Sequence, residues 1–395
     1  MRRVVITGIG IYSCIGTTKE EVISSLREGK CGLVWDEARI EHGFGSGLTG
    51  QITHPLPING FMSEEALYSY VAASEALKDS RLDKDFYDFG IIIGNDGSAK
   101  AMYDSLEAFQ KYKRTFSLGS THVIKGLNSN PSLCLSKQFK NTGISLTLSG
   151  ACASGGHSVG IAYELIKSGK EDVILCGGCQ EINEDAVFSF DALRSFSQNR
   201  NPKEAIKPFD SARDGLAPSG GAACLILEDY DHAVERGAGI YGIIKGYGAT
   251  SSGDYTINSI ESEIECMRRA TGMEDPDGLI DVISAHATGT TLGDYNEAMA
   301  ITSLFKDTPP LVMATKALTG HEMWMSGTSE IIYAILSVTN GFIPPNPNLN
   351  KCPYENLNIN RELIEYDKDP MEFDTYILSN SFGLGGTNSS ILLKV

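Results

Sequence analysis

Long apolar runs and an excess of basic residues are both missing from this sequence of 395 residues. Its apolar runs fall short of the roughly 18 residues that a membrane-spanning helix needs, so no transmembrane helix is predicted. Lysine and arginine number 33 against 50 aspartates and glutamates, which gives a net charge of −17. This balance argues against general binding of nucleic acid. An acidic macromolecular partner would therefore depend on a local basic patch.

A secretion signal and a disulfide framework are missing as well. The apolar run after the first arginines is short, contains glycine and lacks a small-residue cleavage site. The nine cysteines are scattered, which favours reduced thiols in a cytoplasmic protein. Cys176 and Cys179 have the C-x-x-C spacing at a predicted strand end, but no second pair or nearby histidine completes a zinc site. A thioredoxin-like redox role is the alternative for this pair.

The sequence alternates between short apolar runs and helix-length segments. Helical patterns cover 64–77, 154–168, 296–305 and 323–338. The predicted strands are 4–7, 90–94, 144–148, 172–175, 222–227, 279–283, 311–313 and 376–378. Because these strands are continuously apolar, we expect burial on both faces. The alternation predicts an α/β fold with a parallel or mixed sheet covered by helices.

No low-complexity linker or short-period repeat divides the chain. The best internal boundary is the stretch 245–253 (KGYGATSSG), which is rich in glycine and serine and follows a strand-like run. It predicts two halves, residues 1–245 and 246–395. Any duplication between them would have to be structural, because it is not visible in the residue letters.

The first chemical candidate is Cys152, in the small-residue segment 148–156 (LSGACASGG). A predicted strand enters this turn and a helix follows, so Cys152 should lie at a helix N-terminus. There the macrodipole and the free N–H groups favour a thiolate and lower the thiol pKa. The same N–H groups can form an oxyanion hole. The alternative is a buried structural cysteine.

The second candidate is His286, which follows a predicted strand and opens a polar loop of glycine and threonine. Functional sites of α/β sheets lie at such carboxyl ends of strands. Asp294 and Glu297 begin the next helix, where carboxylates complement the N-terminal dipole. Helix capping is therefore the alternative for both, and the favoured interpretation for Asp294.

Two further strand ends carry polar loops. One contains Lys316 and His321, where a solvated surface charge is the alternative for the lysine. The other is the glycine-rich segment 380–388 (NSFGLGGTN), for which phosphate binding is the alternative. Its spacing matches neither a dinucleotide-binding glycine motif nor a Walker A loop. Together the four strand ends suit thioester chemistry, since a thiolate can accept an acyl group and two imidazoles can polarise a second thioester carbonyl.

These four segments resemble the signature blocks of the β-ketoacyl-[acyl carrier protein] synthase I/II family, the elongating condensing enzymes. The resemblance covers essentially the whole chain, and 219–221 and 340–345 are more similar to synthase I. It implies a five-layered αβαβα thiolase-like fold of two similar halves. It also implies an acyltransferase that condenses an acyl group on Cys152 with malonyl-ACP, giving 3-oxoacyl-ACP and CO2.

The resemblance assigns roles to individual residues. Cys152 is the acylated nucleophile, and His286 and His321 support decarboxylation and stabilise the enolate. Lys316 acts electrostatically and is expected to pair with Glu297.

Further supporting roles follow from the same resemblance. Thr288 and Thr290 line the channel for the pantetheine arm of the carrier. The backbone N–H groups of Cys152 and Leu384 form the oxyanion hole, with Asp294 and Phe382 in support. No metal or organic cofactor is expected.

Several positions depart from the family pattern. Leu384 replaces the usual gating phenylalanine, Ala287 follows the first histidine in place of glycine, and 322–327 (EMWMSG) replaces a run of small residues. Trp324 is therefore expected to line the substrate pocket and to favour short or polyunsaturated acyl chains. The alternative is that Trp324 packs into the core or a dimer interface.

The implied partners are an acyl carrier protein and a second subunit. The densest basic run, Lys111, Lys113 and Arg114, is a candidate docking site, with a solvated helix face as its alternative. A homodimer is expected, or a heterodimer with a related subunit. The alternative functions are a ketosynthase for aryl polyenes or similar polyketides and a non-catalytic partner resembling a chain-length factor. The latter should have lost the nucleophile, whereas this chain keeps Cys152.

Overall fold

The chain folds into a mixed α/β structure, which the computed structural model describes over residues 1–52, 56, 60–83, 85–253, 259–367 and 375–395. The strands are β1 Val4–Ser13, β2 Leu33–Trp35, β3 Leu48–Gly50, β4 Gly90–Gly94, β5 Ser145–Leu148, β6 Val173–Gln180, β7 Gly221–Asp229, β8 Gly242–Ser251, β9 Val282–Ser284, β10 Leu311–Met313, β11 Phe342–Ile343, β12 Ile364–Glu365, β13 Tyr376–Gly383 and β14 Thr387–Lys394.

Helices connect most of these strands. They are α1 Lys19–Glu28, α2 Glu37–Glu41, α3 Glu64–Ser80, α4 Ala99–Tyr112, α5 Gly119–Lys125, α6 Asn130–Phe139, α7 Ser154–Lys167, α8 Glu184–Asp191, α9 Pro202–Ala205, α10 Tyr230–Glu235, α11 Ile260–Thr271, α12 Thr291–Leu304, α13 Lys316–Thr319 and α14 Ser326–Thr339. Single turns of 3-10 helix occur at Thr115–Ser117, Ala151–Ala153 and Met323–Met325. Within the described ranges, none of the helices combines the length and apolar character that crossing a membrane requires.

Two five-stranded sheets have the same topology. The strand order is β5-β4-β6-β7-β1 in one and β10-β9-β13-β14-β8 in the other. In each sheet the first three strands are parallel and the last two pair antiparallel. The sheets join where β1 pairs with β8 between Val4 and Ile244. The prediction of two similar halves is therefore confirmed.

The helices form layers around these sheets. Helices α7 and α14 pack against each other and lie between the sheets, α3 covers β1 and β7 on one outer face, and α11 covers β8 and β14 on the other. This arrangement is the predicted five-layered αβαβα fold. Because α7 and α14 each enter this central layer directly after a loop, the residues that begin them come close together.

The glycine-rich stretch predicted to be a boundary lies inside β8. Its glycines permit close packing, since a Cβ atom on Gly246 would lie 1.9 Å from the carbonyl oxygen of Ala270 in α11. Gly10 in β1 has the equivalent role against Ala72 of α3, at 1.8 Å. The predicted boundary at Lys245 therefore falls within a strand. The bounds 1–245 and 246–395 stay a prediction, and the chain passes from one sheet to the other between β7 and β8.

Most predicted strands are present, and several extend further. Strand β6 continues through Cys176 and Cys179, which are fully buried inside the strand and not at its end. Strand β13 includes Asn380 and Gly383, so most of the predicted glycine loop is a strand followed by a tight turn into β14. Neither strand of this hairpin alternates polar and apolar residues, since β13 reads YILSNSFG and β14 reads TNSSILLK, so the pairing was not visible in the sequence.

Candidate active site

Cys152 lies in a tight turn between β5 and α7. Ala151, directly before it, has a φ of 48°, in the left-handed region that non-glycine residues rarely adopt. Ser154 stabilises the turn, because its Oγ accepts a hydrogen bond from Gly150 N at 2.8 Å and donates one to the Ala151 carbonyl at 2.7 Å. The structure thus places Cys152 at the predicted helix N-terminus.

The ionisation of Cys152 differs from the prediction. The residue is only 7% exposed, and burial raises the pKa of the thiol to about 11. The backbone N–H of Leu384 and the positive charge of Lys316 oppose this shift of the pKa, but burial outweighs both. The helix dipole alone therefore did not predict the direction in which the pKa of this thiol shifts. At neutral pH the thiol is protonated and its reaction requires a base.

His321 is placed to act as that base. Its Nε2 lies 3.0 Å from the Cys152 sulfur, and its Nδ1 lies 3.1 Å from Ser326 Oγ at the start of α14. The ring of His286 stands at 83° to that of His321, with 5.1 Å between their centroids. The Cys152 sulfur and one ring nitrogen of each histidine all lie within 4.8 Å of one another. The structure therefore brings together the predicted thiol and both imidazoles.

Lys316 has a different partner from the one predicted. Its Nζ donates a hydrogen bond to Glu330 Oε1 on α14, and both side chains are only 2% exposed. The predicted partner, Glu297, instead accepts hydrogen bonds from the backbone N–H groups of His286 at 2.9 Å and Ala287 at 2.7 Å. The predicted Lys316–Glu297 pair is therefore wrong. Sequence reasoning missed Glu330 because its position on the next helix depends on how α14 enters the site.

The two histidines are neutral at physiological pH. Burial, and then the positive charge of Lys316, lower the pKa of both His286 and His321 well below the ordinary value. Lys316 Nζ lies 3.5 Å from Nδ1 of His286. An ammonium group can only donate, so this Nδ1 is an acceptor and the ring hydrogen lies on Nε2. His286 therefore presents a hydrogen-bond donor to the site.

Asp294 fixes the loop that precedes its own helix. Its carboxylate accepts hydrogen bonds from Gly289 N at 3.0 Å and Phe209 N at 2.8 Å, and Arg213 Nε lies 3.8 Å away. Burial raises the pKa of Asp294 to about 6 and that of Glu297 to about 7. Neither carboxylate caps α12 itself. The capping interpretation is therefore wrong, and both acids hold the loop that carries His286.

A cavity of about 320 Å³ opens over Cys152. The hydroxyl oxygens of Thr288 and Thr290 lie 2.9 Å apart in its wall. Phe382 lines it with its ring centroid 6.5 Å from that of His286, and Leu384 is 45% exposed at the same wall. The predicted channel residues are thus assembled at one cavity. Its other lining residues include Phe190, Leu193, Phe196, Leu216, Glu263, Asn296 and Met323.

Trp324 does not line this cavity. Its neighbour Met323 does, with a φ of 45°, and Trp324 packs on Phe190 with 5.8 Å between ring centroids. The expectation that Trp324 lines the pocket is therefore wrong for this cavity, and its contact with substrate stays a prediction. The single 3-10 turn at Met323–Met325 rotates the tryptophan away from the cavity lining, and no local pattern of residues indicates this turn.

The candidate docking residues lie on a separate surface. Lys111 is in the last turn of α4, Lys113 caps that helix, and Arg114 follows. All three are exposed, and none lines the cavity. A docking role for them stays a prediction.

Comparison with known proteins agrees with this fold. The family models "Beta-ketoacyl synthase, N-terminal domain" and "Beta-ketoacyl synthase, C-terminal domain" match residues 55–233 and 241–350. The chain is 35% identical over 410 residues to 3-oxoacyl-[acyl-carrier-protein] synthase 1 of Escherichia coli (strain K12), a match covering 100% of this chain and 99% of that protein.

Solved structures extend the similarity. A β-ketoacyl synthase from Burkholderia phymatum superposes with a TM-score of 0.90 at 27% identity, covering 100% of this chain and 99% of that one. The ketosynthase of a type II polyketide synthase, solved in complex with its acyl-carrier protein, superposes with a TM-score of 0.89 at 25% identity. This match also covers 100% of this chain and 99% of that one.

The fold and the Cys–His–His site define a condensing enzyme with a thiolase-like architecture. The chain belongs to the β-ketoacyl synthase family. The family, the fold class and the acyltransferase class predicted from the sequence are therefore confirmed.

Proposed function

We propose that this chain condenses an acyl group carried on Cys152 with malonyl-ACP, giving 3-oxoacyl-ACP and CO2 in fatty-acid elongation. The contact between Cys152 Sγ and His321 Nε2 at 3.0 Å, with His286 beside it, carries the proposal. Similarity over the whole chain to a 3-oxoacyl-[acyl-carrier-protein] synthase supports it.

The first half of the reaction loads the enzyme. His321 Nε2 takes the thiol proton while the Cys152 sulfur attacks the thioester carbonyl of the acyl-ACP. The carbon–sulfur bond to the carrier then breaks, and the proton passes to the departing thiol. The N–H groups of Cys152 and Leu384 stabilise the oxyanion that forms in between.

The second half forms the new carbon–carbon bond. Loss of CO2 from malonyl-ACP leaves an enolate, whose oxygen accepts a hydrogen bond from Nε2 of His286. The enolate carbon attacks the carbonyl carbon of the acyl group on Cys152. The carbon–sulfur bond then breaks, and the Cys152 sulfur leaves as a thiolate. Lys316 keeps His286 in the donating tautomer, because the ammonium faces Nδ1. Because burial disfavours negative charge, the charge that develops on oxygen and sulfur depends on the N–H donors of the site and on the nearby ammonium group of Lys316.

A carrier protein is the proposed partner of the reaction. The related ketosynthase structure holds an acyl-carrier protein, and this supports a carrier-bound substrate here. We place the docking site at Lys111, Lys113 and Arg114, which form an exposed basic run on a chain with a net charge of −17. A local positive patch would offset the repulsion between two acidic proteins.

We further propose that two copies associate through β5. This strand ends its sheet, and its outer edge pairs with no other strand in the described part of the chain. Large apolar side chains are exposed on the strand and on the helices before it, namely Met102, Leu106, Phe109, Phe116, Val123 and Leu146. An edge strand meets its own copy antiparallel across a two-fold axis. Sedimentation should give twice the chain mass of 42.6 kDa, and Leu146→Lys should yield monomer.

Two alternative functions keep the same site. One is a ketosynthase for aryl polyenes or similar polyketides, working with a related subunit in a heterodimer. It is favoured by the similarity to a polyketide ketosynthase. The other is a non-catalytic subunit of the chain-length-factor type, and the intact Cys152, His286 and His321 argue against it. We propose a cytoplasmic location for this chain, whether it acts in fatty-acid elongation or in polyketide synthesis.

The decisive experiment measures condensation by the purified chain. Hexanoyl-ACP and malonyl-ACP should give 3-oxooctanoyl-ACP and CO2, with a mass increase of one hexanoyl group on Cys152. Cys152→Ala should abolish both signals. Elongation by this variant at the wild-type rate would overturn the proposal. A wild type inactive with saturated chains but active with conjugated ones would favour the polyketide alternative.

A further inference from the structure

The cavity over Cys152 is lined by residues of two chemical kinds. Phe190, Phe196, Leu216 and Met323 are apolar, and Glu263, Thr288, Thr290 and Asn296 are polar. A carrier thioester combines the same two kinds of group, with a hydrocarbon acyl chain on one side of the thioester and an arm containing amides on the other. Burying polar groups without partners is unfavourable, so the arm matches the polar lining residues.

Glu263 is a polar lining residue to which the reaction described above assigns no role. It lies on α11, is 1% exposed, and forms no ion pair within the described part of the chain. Its Oε2 has no hydrogen-bond partner there. By contrast, both carboxylate oxygens of the nearby Glu297 accept backbone hydrogen bonds. A buried polar atom without a partner costs about 1–3 kcal/mol of stability, so a role in binding would explain its presence.

The surroundings of Glu263 keep its carboxyl group uncharged. Burial, and then the negative charge of Glu297, raise its pKa to about 10. A neutral carboxylic acid presents an O–H donor and a C=O acceptor side by side. An amide presents the complementary acceptor and donor, whereas a hydrocarbon chain presents neither.

We propose that Glu263 is a substrate-binding residue that hydrogen-bonds an amide of the arm carrying the thioester. The inference rests on the proposed function, since it assumes that a carrier thioester reaches Cys152. It assigns Glu263 to the arm and not to the acyl chain, because α11, which carries Glu263, packs on α12, and Asn296 of α12 lines the same cavity with Thr288 and Thr290.

The test compares two hexanoyl thioesters that differ in the arm. One is the thioester of pantetheine, which contains amides, and the other is that of 1-propanethiol, which has none. Acylation of Cys152, followed by intact mass, gives kcat/KM for each. Glu263→Met keeps the side-chain length but removes the donor. It should lower kcat/KM about tenfold for the pantetheine thioester and less than about twofold for the propyl thioester, as expected for one hydrogen bond.

Two control variants sharpen the comparison. Glu263→Gln retains a donor and an acceptor and should keep the wild-type ratio, and Glu261→Met removes an exposed acid of the same helix and should also keep it. An equal fall for both thioesters, or no change in Glu263→Met, would overturn the assignment. If that variant does not fold, a crystal structure of the wild type with pantetheine decides, since a distance beyond about 3.5 Å between Glu263 and an amide excludes the hydrogen bond. Failure of the wild type to react with either thioester would instead refute the proposed function.

Discussion

Lys316 is hydrogen-bonded to Glu330 on α14, and not to Glu297, although all three groups are buried around the same site. The ammonium therefore links the loop after β10 to the helix that follows His321. Glu297 is left free to hold the backbone of His286 and Ala287. Glu330 thus compensates the charge of Lys316, whereas Glu297 fixes the backbone of the loop that carries His286.

Breaking the Lys316–Glu330 pair should destabilise the protein. Lys316→Met leaves the buried Glu330 carboxylate without its partner, and Glu330→Gln leaves the buried ammonium without its counter-charge, so each should lower the free energy of unfolding by about 3 kcal/mol. The double variant should lose less than the sum, because neither charge remains. Urea unfolding measures all three. The exposed pair Lys167–Glu164 is the control, where Lys167→Met should cost below about 0.5 kcal/mol. Additive losses in the double variant would contradict a direct pair.

The reactivity of Cys152 should increase with pH. The thiolate is the reactive form, and burial raises the thiol pKa to about 11, so the thiolate fraction is small at neutral pH. The rate of alkylation by iodoacetamide should therefore rise about tenfold per pH unit from pH ~7 to ~10. Intact mass of the wild type against Cys152→Ser separates this site from the other cysteines. A rate that levels off near neutral pH would mean that the thiol pKa is low.

The two histidines should differ in their effects. His286→Ala removes the Nε2 donor for the enolate, so decarboxylation of malonyl-ACP should fall at least about 100-fold while acylation of Cys152 falls less than about fivefold. His321→Ala removes the contact with the sulfur and should slow acylation as well. Release of labelled CO2 and mass of the acyl-enzyme report the two steps. Equal losses of both steps in both variants would contradict this division.

Docking of the carrier should depend on the basic run after α4. Lys113→Glu with Arg114→Glu should weaken carrier binding several-fold and reduce its dependence on salt, because fewer opposite charges then attract each other. Surface plasmon resonance at several ionic strengths measures both. Lys306→Glu with Arg361→Glu changes the net charge equally at other exposed sites and is the control. An equal effect of both pairs would indicate net charge and not a docking site.

Acyl-chain selection should depend on Phe190 more than on Trp324. Phe190 lines the cavity, whereas Trp324 packs behind it. Phe190→Ala should raise kcat/KM for longer acyl-ACPs relative to hexanoyl-ACP by about threefold or more, because the smaller side chain enlarges the apolar part of the cavity. Trp324→Ala should change that ratio less. A larger effect of Trp324→Ala would show that the tryptophan reaches the substrate in the working enzyme.

Much of the site could be predicted because its residues follow strand ends. Parallel strands bring their carboxyl ends to one edge, so His286 after β9 and His321 after β10 are placed near each other by topology. Cys152 follows β5 of the other sheet, and the packing of α7 on α14 brings it to the histidines. Each also lies within a local pattern of small or polar residues that is visible in the sequence. The duplicated sheets, by contrast, are not visible as a repeat in the residue letters, although Gly10 and Gly246 each allow a helix to pack closely on its sheet.

The sequence by itself determined the chemistry of this protein, since the thiol, the two imidazoles and the lysine are local features with local signals. Tertiary structure alone decided their environment. Whether Lys316 faces Glu297 or Glu330 depends on how α14 packs beside α7, and whether Trp324 reaches substrate depends on a single 3-10 turn. The pKa of Cys152 likewise depends on burial by several distant segments. Pairing, burial and orientation are long-range properties, so no local pattern of residues specifies them.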